Sequence, residues 1–162
     1  MKRIFYFLIL ITTFLCLNGC VGYKPIFDST SLNFKIVDYD ITGEKKLGEQ
    51  IFYKLNNLFK IKENSSNIKN VYISVNVTKN KNATSKDSAG KVLAYNVSIS
   101  TKIFVKDLIS GDEILKKDFI SNAQYEVQSK YSETVKLEHK AIENILNKIY
   151  QDLLIKLLEN IK

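Results

Sequence analysis

Leu93-Ala94-Tyr95-Asn96-Val97-Ser98-Ile99-Ser100-Thr101-Lys102-Ile103-Phe104-Val105 is the stretch whose period decides the fold. Leu93, Tyr95, Val97, Ile99, Thr101, Ile103 and Val105 alternate with Asn96, Ser98, Ser100 and Lys102. Successive side chains of a strand point to opposite faces, so this pattern predicts a strand with one apolar and one polar face. Val71, Ile73, Val75 and Val77 alternate with Tyr72, Ser74, Asn76 and Thr78 in the same way. Two such strands imply a sheet with one covered face and one open face.

The neighbouring segments extend this pattern. Lys79 to Lys91 reads as a polar connection ending near Gly90. Ser110-Gly111-Asp112 is a turn signal. Ile114 to Val127 reads as a further strand, with Leu115, Phe119, Ala123 and Tyr125 on one face. These three strands are expected to form an antiparallel meander. Upstream, Phe34 to Ile41 is a short β-rich run, and Asn64 to Asn70 is a polar loop.

Two segments change to helical period. Between Gly43 and Lys60, Leu47, Ile51, Leu55 and Leu58 recur at helical spacing, with Phe52 and Phe59 beside them. Glu44, Lys45, Lys46, Glu49, Lys54 and Asn56 fill the other face, so the helix is amphipathic. Ser132 to Ile161 carries a stripe of Val135, Ile142, Ile145, Leu146, Ile149, Leu153, Leu157 and Ile161. Tyr150, Leu154 and Leu158 widen it, which suits packing on a sheet better than a coiled-coil seam. Ser132 is expected to cap this helix, with Glu133 in its first turn. The order β-α-β-β-β-α predicts an α+β two-layer sandwich. It has a four-stranded mixed sheet and both helices on one face.

The N-terminus carries a different signal. Lys2 and Arg3 precede an apolar run from Ile4 to Leu17, interrupted by Thr12 and Thr13. That run is the length of a signal-peptide core and shorter than the roughly 20 residues a spanning helix needs. Gly19-Cys20 closes it in the form a lipoprotein signal peptidase reads. Cys20 is therefore expected to carry diacylglycerol and to become the first mature residue. Residues 1–19 are then the signal peptide, 20–32 a lipidated tether and 33–162 a single α+β domain. Losing Lys2 and Arg3 brings the net charge from +7 to +5. Moderate positive charge suits anionic partners such as lipid head groups or lipopolysaccharide phosphates, and export argues against nucleic acid.

The chemistry of most enzyme classes is missing from these residues. Cys16 leaves with the signal and Cys20 carries lipid, so the mature chain has no disulfide and no free thiol. The one histidine, His139, lies in a helix and is expected at its exposed rim. No metal site on His or Cys, no Gly-rich phosphate loop and no G-x-S-x-G turn is present. Glu44 with Glu49 and Asp107 with Asp112 are the nearest carboxylate pairs, and both read as solvated charge. The expectation is a non-enzyme without cofactor or metal.

Cys20-Val21-Gly22-Tyr23-Lys24-Pro25-Ile26-Phe27 resembles the start of the mature lipopolysaccharide-assembly lipoproteins, the LptE or rare-lipoprotein-B family. The pattern there is Cys, Gly, an aromatic, any residue, Pro, an aliphatic and an aromatic; this chain inserts Val21. Tyr125, Val127, Ser129, Tyr131 and Ser132, then Ala141 in a long helix, are similar to the last strand and final helix of that family. Ser132 stands where the family often has Ala.

The resemblance implies a lipid-anchored protein at the periplasmic face of the outer membrane. It implies a plug and assembly partner of an LptD-type β-barrel translocon that delivers lipopolysaccharide. Val21 rather than Asp after Cys20 agrees with sorting to the outer membrane. Asn96, Ser98, Ser100 and Lys102 are the candidate barrel contacts, because a barrel lumen is polar. Lys79, Lys81, Lys86 and Lys91 are the candidate lipopolysaccharide contacts, since Lys serves as a point-charge phosphate partner. The competing reading is an auxiliary periplasmic lipoprotein of a lipid-trafficking ABC transport system. A cell-wall glycan hydrolase is a distant third.

Overall fold

The computed structural model describes residues 34–60 and 68–160. The signal peptide, Cys20 and the tether lie outside the described residues. Six elements follow in chain order: β1 (Phe34–Gly43), α1 (Lys45–Lys60), β2 (Lys69–Lys86), β3 (Val92–Asp107), β4 (Glu113–Glu126) and α2 (Tyr131–Glu159). The strands form one mixed sheet in the order β1-β2-β3-β4, and the expected α+β architecture is observed. β1 and β2 are parallel, joined by α1 as a crossover; β2, β3 and β4 form the antiparallel meander.

The core lies between one face of this sheet and the two helices. Val71, Ile73, Val75 and Val77 of β2 meet Val97, Ile99, Ile103 and Val105 of β3 on that face, all essentially without solvent contact. Leu115, Phe119 and Tyr125 extend the layer into β4. α1 supplies Leu47, Ile51, Leu55 and Phe59, and α2 supplies Ile145, Leu146, Ile149, Leu153 and Leu157. Ile142, expected in the core, packs at its margin and is only partly buried. The helices touch each other through Lys54 of α1, which donates to the Asn147 side chain and lies 5.8 Å from the centre of the Tyr150 ring.

β1 has no simple alternation for a local reason. A register shift between Ile36 and Asp38 places Val37 outside the ladder as a β-bulge. The bulge moves the core-facing positions from even to odd numbers. Phe34 meets Phe59 edge-on at 5.6 Å, whereas Tyr39 stacks on Phe52 at 4.2 Å. At the end of β1, Gly43 has φ 76°. A Cβ there would lie 2.1 Å from the Val77 carbonyl oxygen, which accepts the Glu44 N–H at 2.8 Å. Only glycine lets the chain turn into α1 this close to β2.

Two local expectations are corrected. Ser132 does not cap α2. The helix begins one residue earlier, behind Lys130, which makes no side-chain cap bond. Thr134 does the nearby work instead: its hydroxyl accepts the Gln128 N–H at 2.9 Å and fixes the approach to the helix. The second correction concerns residues 79–91. β2 continues in the ladder to Lys86, so Lys79 and Lys81 are strand residues and the true turn is confined to Asp87–Gly90.

Candidate functional site: the open sheet face and the long hairpin

Because both helices lie on one side, the other side of the sheet is left open by the described residues. Asn96, Ser98 and Ser100 are half-buried there by their neighbours in the sheet, and Lys102 is exposed. The ladder arranges polar rungs across three strands. Asn82, Asn96 and Gln124 form one, and Asn80, Ser98 and Asn122 the next. Asn76, Lys102 and Asp118 form another, which reaches β1 where Asn76 Nδ2 donates to Thr42 Oγ1 at 2.7 Å. All four expected contact residues therefore share one face. The face is not uniform. Ile120 is 70% exposed in the rung of Ser100. Tyr72 and Phe104 meet edge-on at 6.4 Å near the opposite end.

β1 stops beside Val77, but β2 runs on for nine residues to Lys86. At about 3.3 Å per residue, that length projects roughly 30 Å past β1 as a hairpin with β3. Its turn is tied by Asp87, whose carboxylate accepts the N–H groups of Ala89 and Lys91 at 2.9 Å each. Gly90, at φ 82°, closes it. Lys86 and Lys91 flank this turn and are exposed.

The four lysines are thus not one cluster. Lys79 and Lys81 align with Ile99 and Val97, on the helix-covered side. Lys81 Nζ lies 2.6 Å from Glu138 Oε2 of α2 and 4.5 Å from the centre of the Tyr95 ring. Tyr125 donates its hydroxyl to the same Glu138 oxygen at 2.9 Å. Burial alone would push the Glu138 carboxyl up. The hydrogen bonds from Lys81 and Tyr125 outweigh it and hold the carboxyl below its usual range. Burial likewise opposes charge on Lys81, and the same two partners raise its pKa despite it. Burial is also the main cause that raises the Tyr125 hydroxyl.

The sequence held a sign of this cluster. Glu138 is three residues after Val135 and four before Ile142, so it stands inside the apolar stripe of α2. A carboxylate on an apolar stripe calls for a cation beside it, and Lys81, itself partly open to solvent, is that cation. His139, the next residue, is exposed as expected.

A shallow groove of about 500 Å³ lies between β4 and α2, lined by Gln124, Tyr125, Gln128, Lys140 and Asn144 among others. Its lining has one carboxylate, Glu126, and no histidine. Asp107 uses its carboxylate to cap a turn, accepting from Ile109 N at 2.8 Å and Ser110 N at 3.4 Å. Among the described residues, no group of three His, Cys, Asp or Glu side chains could hold a metal ion. No described helix is long and apolar enough to cross a membrane.

No family model and no curated protein matches the chain. Solved structures do share its fold. A chain described as a lipoprotein from Caulobacter crescentus is 12% identical with a TM-score of 0.56, over 81% of this chain and 92% of that one. A minor lipoprotein from Acinetobacter baumannii gives 10% identity and a TM-score of 0.56, over 80% and 92%. A lipoprotein B from Nitrosomonas europaea gives 13% and 0.55, over 82% and 88%. At these identities the likeness is one of fold.

Proposed function

We propose that the protein is an outer-membrane lipoprotein that plugs an LptD-type β-barrel and helps it assemble and deliver lipopolysaccharide. The observation that carries this reading is the polar open face. Two helices cover one side of the sheet, while the other presents Asn, Ser, Gln and Lys rungs that no described element covers. A porin-like lumen is polar, and such a face can sit in it without exposing a greasy surface. The Gly19-Cys20 signal supplies the anchor, and the solved chains of the same fold are described as lipoproteins.

The long hairpin gives the reading a direction. β2 alone, at 18 residues, is close to 60 Å long. A bilayer with its head groups is about 40–45 Å thick. A domain held at the periplasmic leaflet by Cys20 can therefore carry the Asp87–Gly90 turn to the outer leaflet through a barrel. Contact with lipopolysaccharide phosphates belongs to Lys86 and Lys91 at that turn. Lys81 has its charge matched by Glu138, and Lys79 lies beside it on the covered side.

Photo-crosslinkers placed in cells at Ser98 and Ser100 test the arrangement. Adducts with a large outer-membrane barrel are expected at both positions. Adducts with inner-membrane transporter subunits instead would favour the auxiliary role in a lipid-trafficking ABC system.

A further inference from the structure

The sheet has two outer edges, and they are built differently. β1 guards its own. The Val37 bulge interrupts it, and the Asp38 carboxylate accepts the Tyr39 N–H at 2.9 Å. Bulges and charges are the devices that keep an edge from pairing with another chain. β4 lacks them over half its length. Its pairing with β3 runs without a register shift from Leu115 to Glu126. Phe119-Ile120-Ser121-Asn122-Ala123-Gln124-Tyr125 holds no charge, no proline and no glycine. Among the described residues, no strand pairs with the outer side of β4.

The ladder fixes which backbone groups are left over. Val127 N donates to Leu93 O at 2.8 Å, so 93 and 127 are a hydrogen-bonded pair. The antiparallel alternation then turns the N–H and C=O groups of Phe119, Ser121, Ala123 and Tyr125 toward β3. Those of Asp118, Ile120, Asn122 and Gln124 point outward, along a run of about 20 Å. α2 packs beside this edge and leaves two hollows between itself and β4. One, of about 260 Å³, is lined by Phe119, Ile120, Asp152, Ile155 and Lys156 among others. Ile155 is 42% exposed there. The other is the 500 Å³ groove that holds Tyr125, Lys140 and Asn144. Phe119 and Tyr125 are six residues apart, so the hollows follow one another about 20 Å apart along the strand.

We propose that the outer edge of β4 takes up an extended segment of the barrel partner as a fifth strand, joined by backbone hydrogen bonds, with alternate side chains seated in the two hollows. This assignment rests on the reading of the protein as the plug of a β-barrel. The barrel wall cannot supply the strand, because its own strands are paired all the way round and leave no edge. The occupant is then a loop of the barrel that folds into the lumen. The hollows set its chemistry. An aliphatic side chain suits Phe119 and Ile155; six residues along, a carboxylate or amide suits Lys140 and Asn144. The edge is also continuous with the polar face. Gln124 and Asn122 end the rungs of Asn96 and Ser98, so a strand added here extends the surface that meets the barrel.

Amide hydrogen exchange, resolved to single residues, reads the edge in the lipidated protein alone and in its complex purified from outer membranes. In the protein alone, the amides of Phe119, Ser121 and Ala123 are slow and those of Ile120, Asn122 and Gln124 are fast. The expected result is that the complex slows the second set by at least about tenfold, the equivalent of one hydrogen bond, and leaves the first set as it was. Asn122→Pro removes an outward N–H and no bond to β3. It should lower recovery of the barrel about tenfold below that of Asn122→Ala. Fast exchange at 120, 122 and 124 in a complex that contains the barrel overturns the proposal and leaves the plug reading standing. Equal losses in the Pro and Ala variants also overturn it, since the contact then belongs to the side chain. Slow exchange at these amides in the protein alone, growing with its concentration, gives the edge to a second copy of this chain and overturns it too. The exchange measurement needs no variant, so it decides the matter even where Asn122→Pro fails to fold. Parent protein that brings down no barrel refutes the plug reading itself, and the fifth strand falls with it.

Discussion

Thr101 is buried on the helix side of β3, and its Oγ1 has no hydrogen-bond partner. A buried hydroxyl without a partner costs roughly 1–3 kcal/mol. Thr101→Val keeps the shape and removes the polar atom, so it should stabilise the fold by about 1 kcal/mol. Urea unfolding reads this as a higher midpoint at unchanged slope. Glu138 gives a prediction in pH. Its folded pKa is depressed, so its contribution is present above the unfolded value and is lost as pH falls through the folded one. The pair is partly open to solvent, at 35% for Lys81 and 20% for Glu138, so the effect is at most about 1 kcal/mol. Glu138→Gln should be less stable than the parent at neutral pH and should converge with it in acid. A gap that stays constant down to acid pH would mean the carboxylate is not what matters there.

Ile99 and Ser98 are neighbours on one strand and face opposite ways. Ile99 has no solvent exposure and packs under the helices; Ser98 lies on the open face. Ile99→Ala should cost about 2–5 kcal/mol, and Ser98→Ala within about 0.5 kcal/mol. Equal losses would put the strand in the wrong register. The alternation of β2 and β3 was legible because each has one buried face, and burial writes period two into the sequence. Where burial stops, so does the signal. Beyond Val77 neither β1 nor α1 covers β2, and Thr78 to Lys86 is held by the ladder to β3. Those residues read as a polar loop because nothing there needs to be apolar. The mixed sheet was expected from the β-α-β order, but which strand β1 would pair with was hidden, since the Val37 bulge breaks its alternation. Gly43 marks the crossover, and Gly43→Ala should destabilise the fold strongly, because the new Cβ meets the Val77 carbonyl.

At the scale of the whole molecule, the two ends differ in chemistry. One end gathers the start of β1, both helix C-termini and the Leu108–Ile109 turn. The other carries Lys86 and Lys91 beside the Asp87–Gly90 turn, together with the end of β4 and the start of α2. Between them one face is sealed by helices and the other is polar. The face of the candidate contacts was legible in the sequence, because Asn96, Ser98, Ser100 and Lys102 stand out against the apolar positions between them. The split of the four lysines was not, because it depends on how far α2 reaches over the meander. A polar-faced domain whose β2 is about 60 Å long suits the inside of the proposed barrel. The most direct measurement is purification of the lipidated protein from outer membranes in mild detergent, with its partners identified by mass. The account predicts one large β-barrel protein in stoichiometric amount. Recovery of the protein alone, or with inner-membrane transporter subunits, would contradict it.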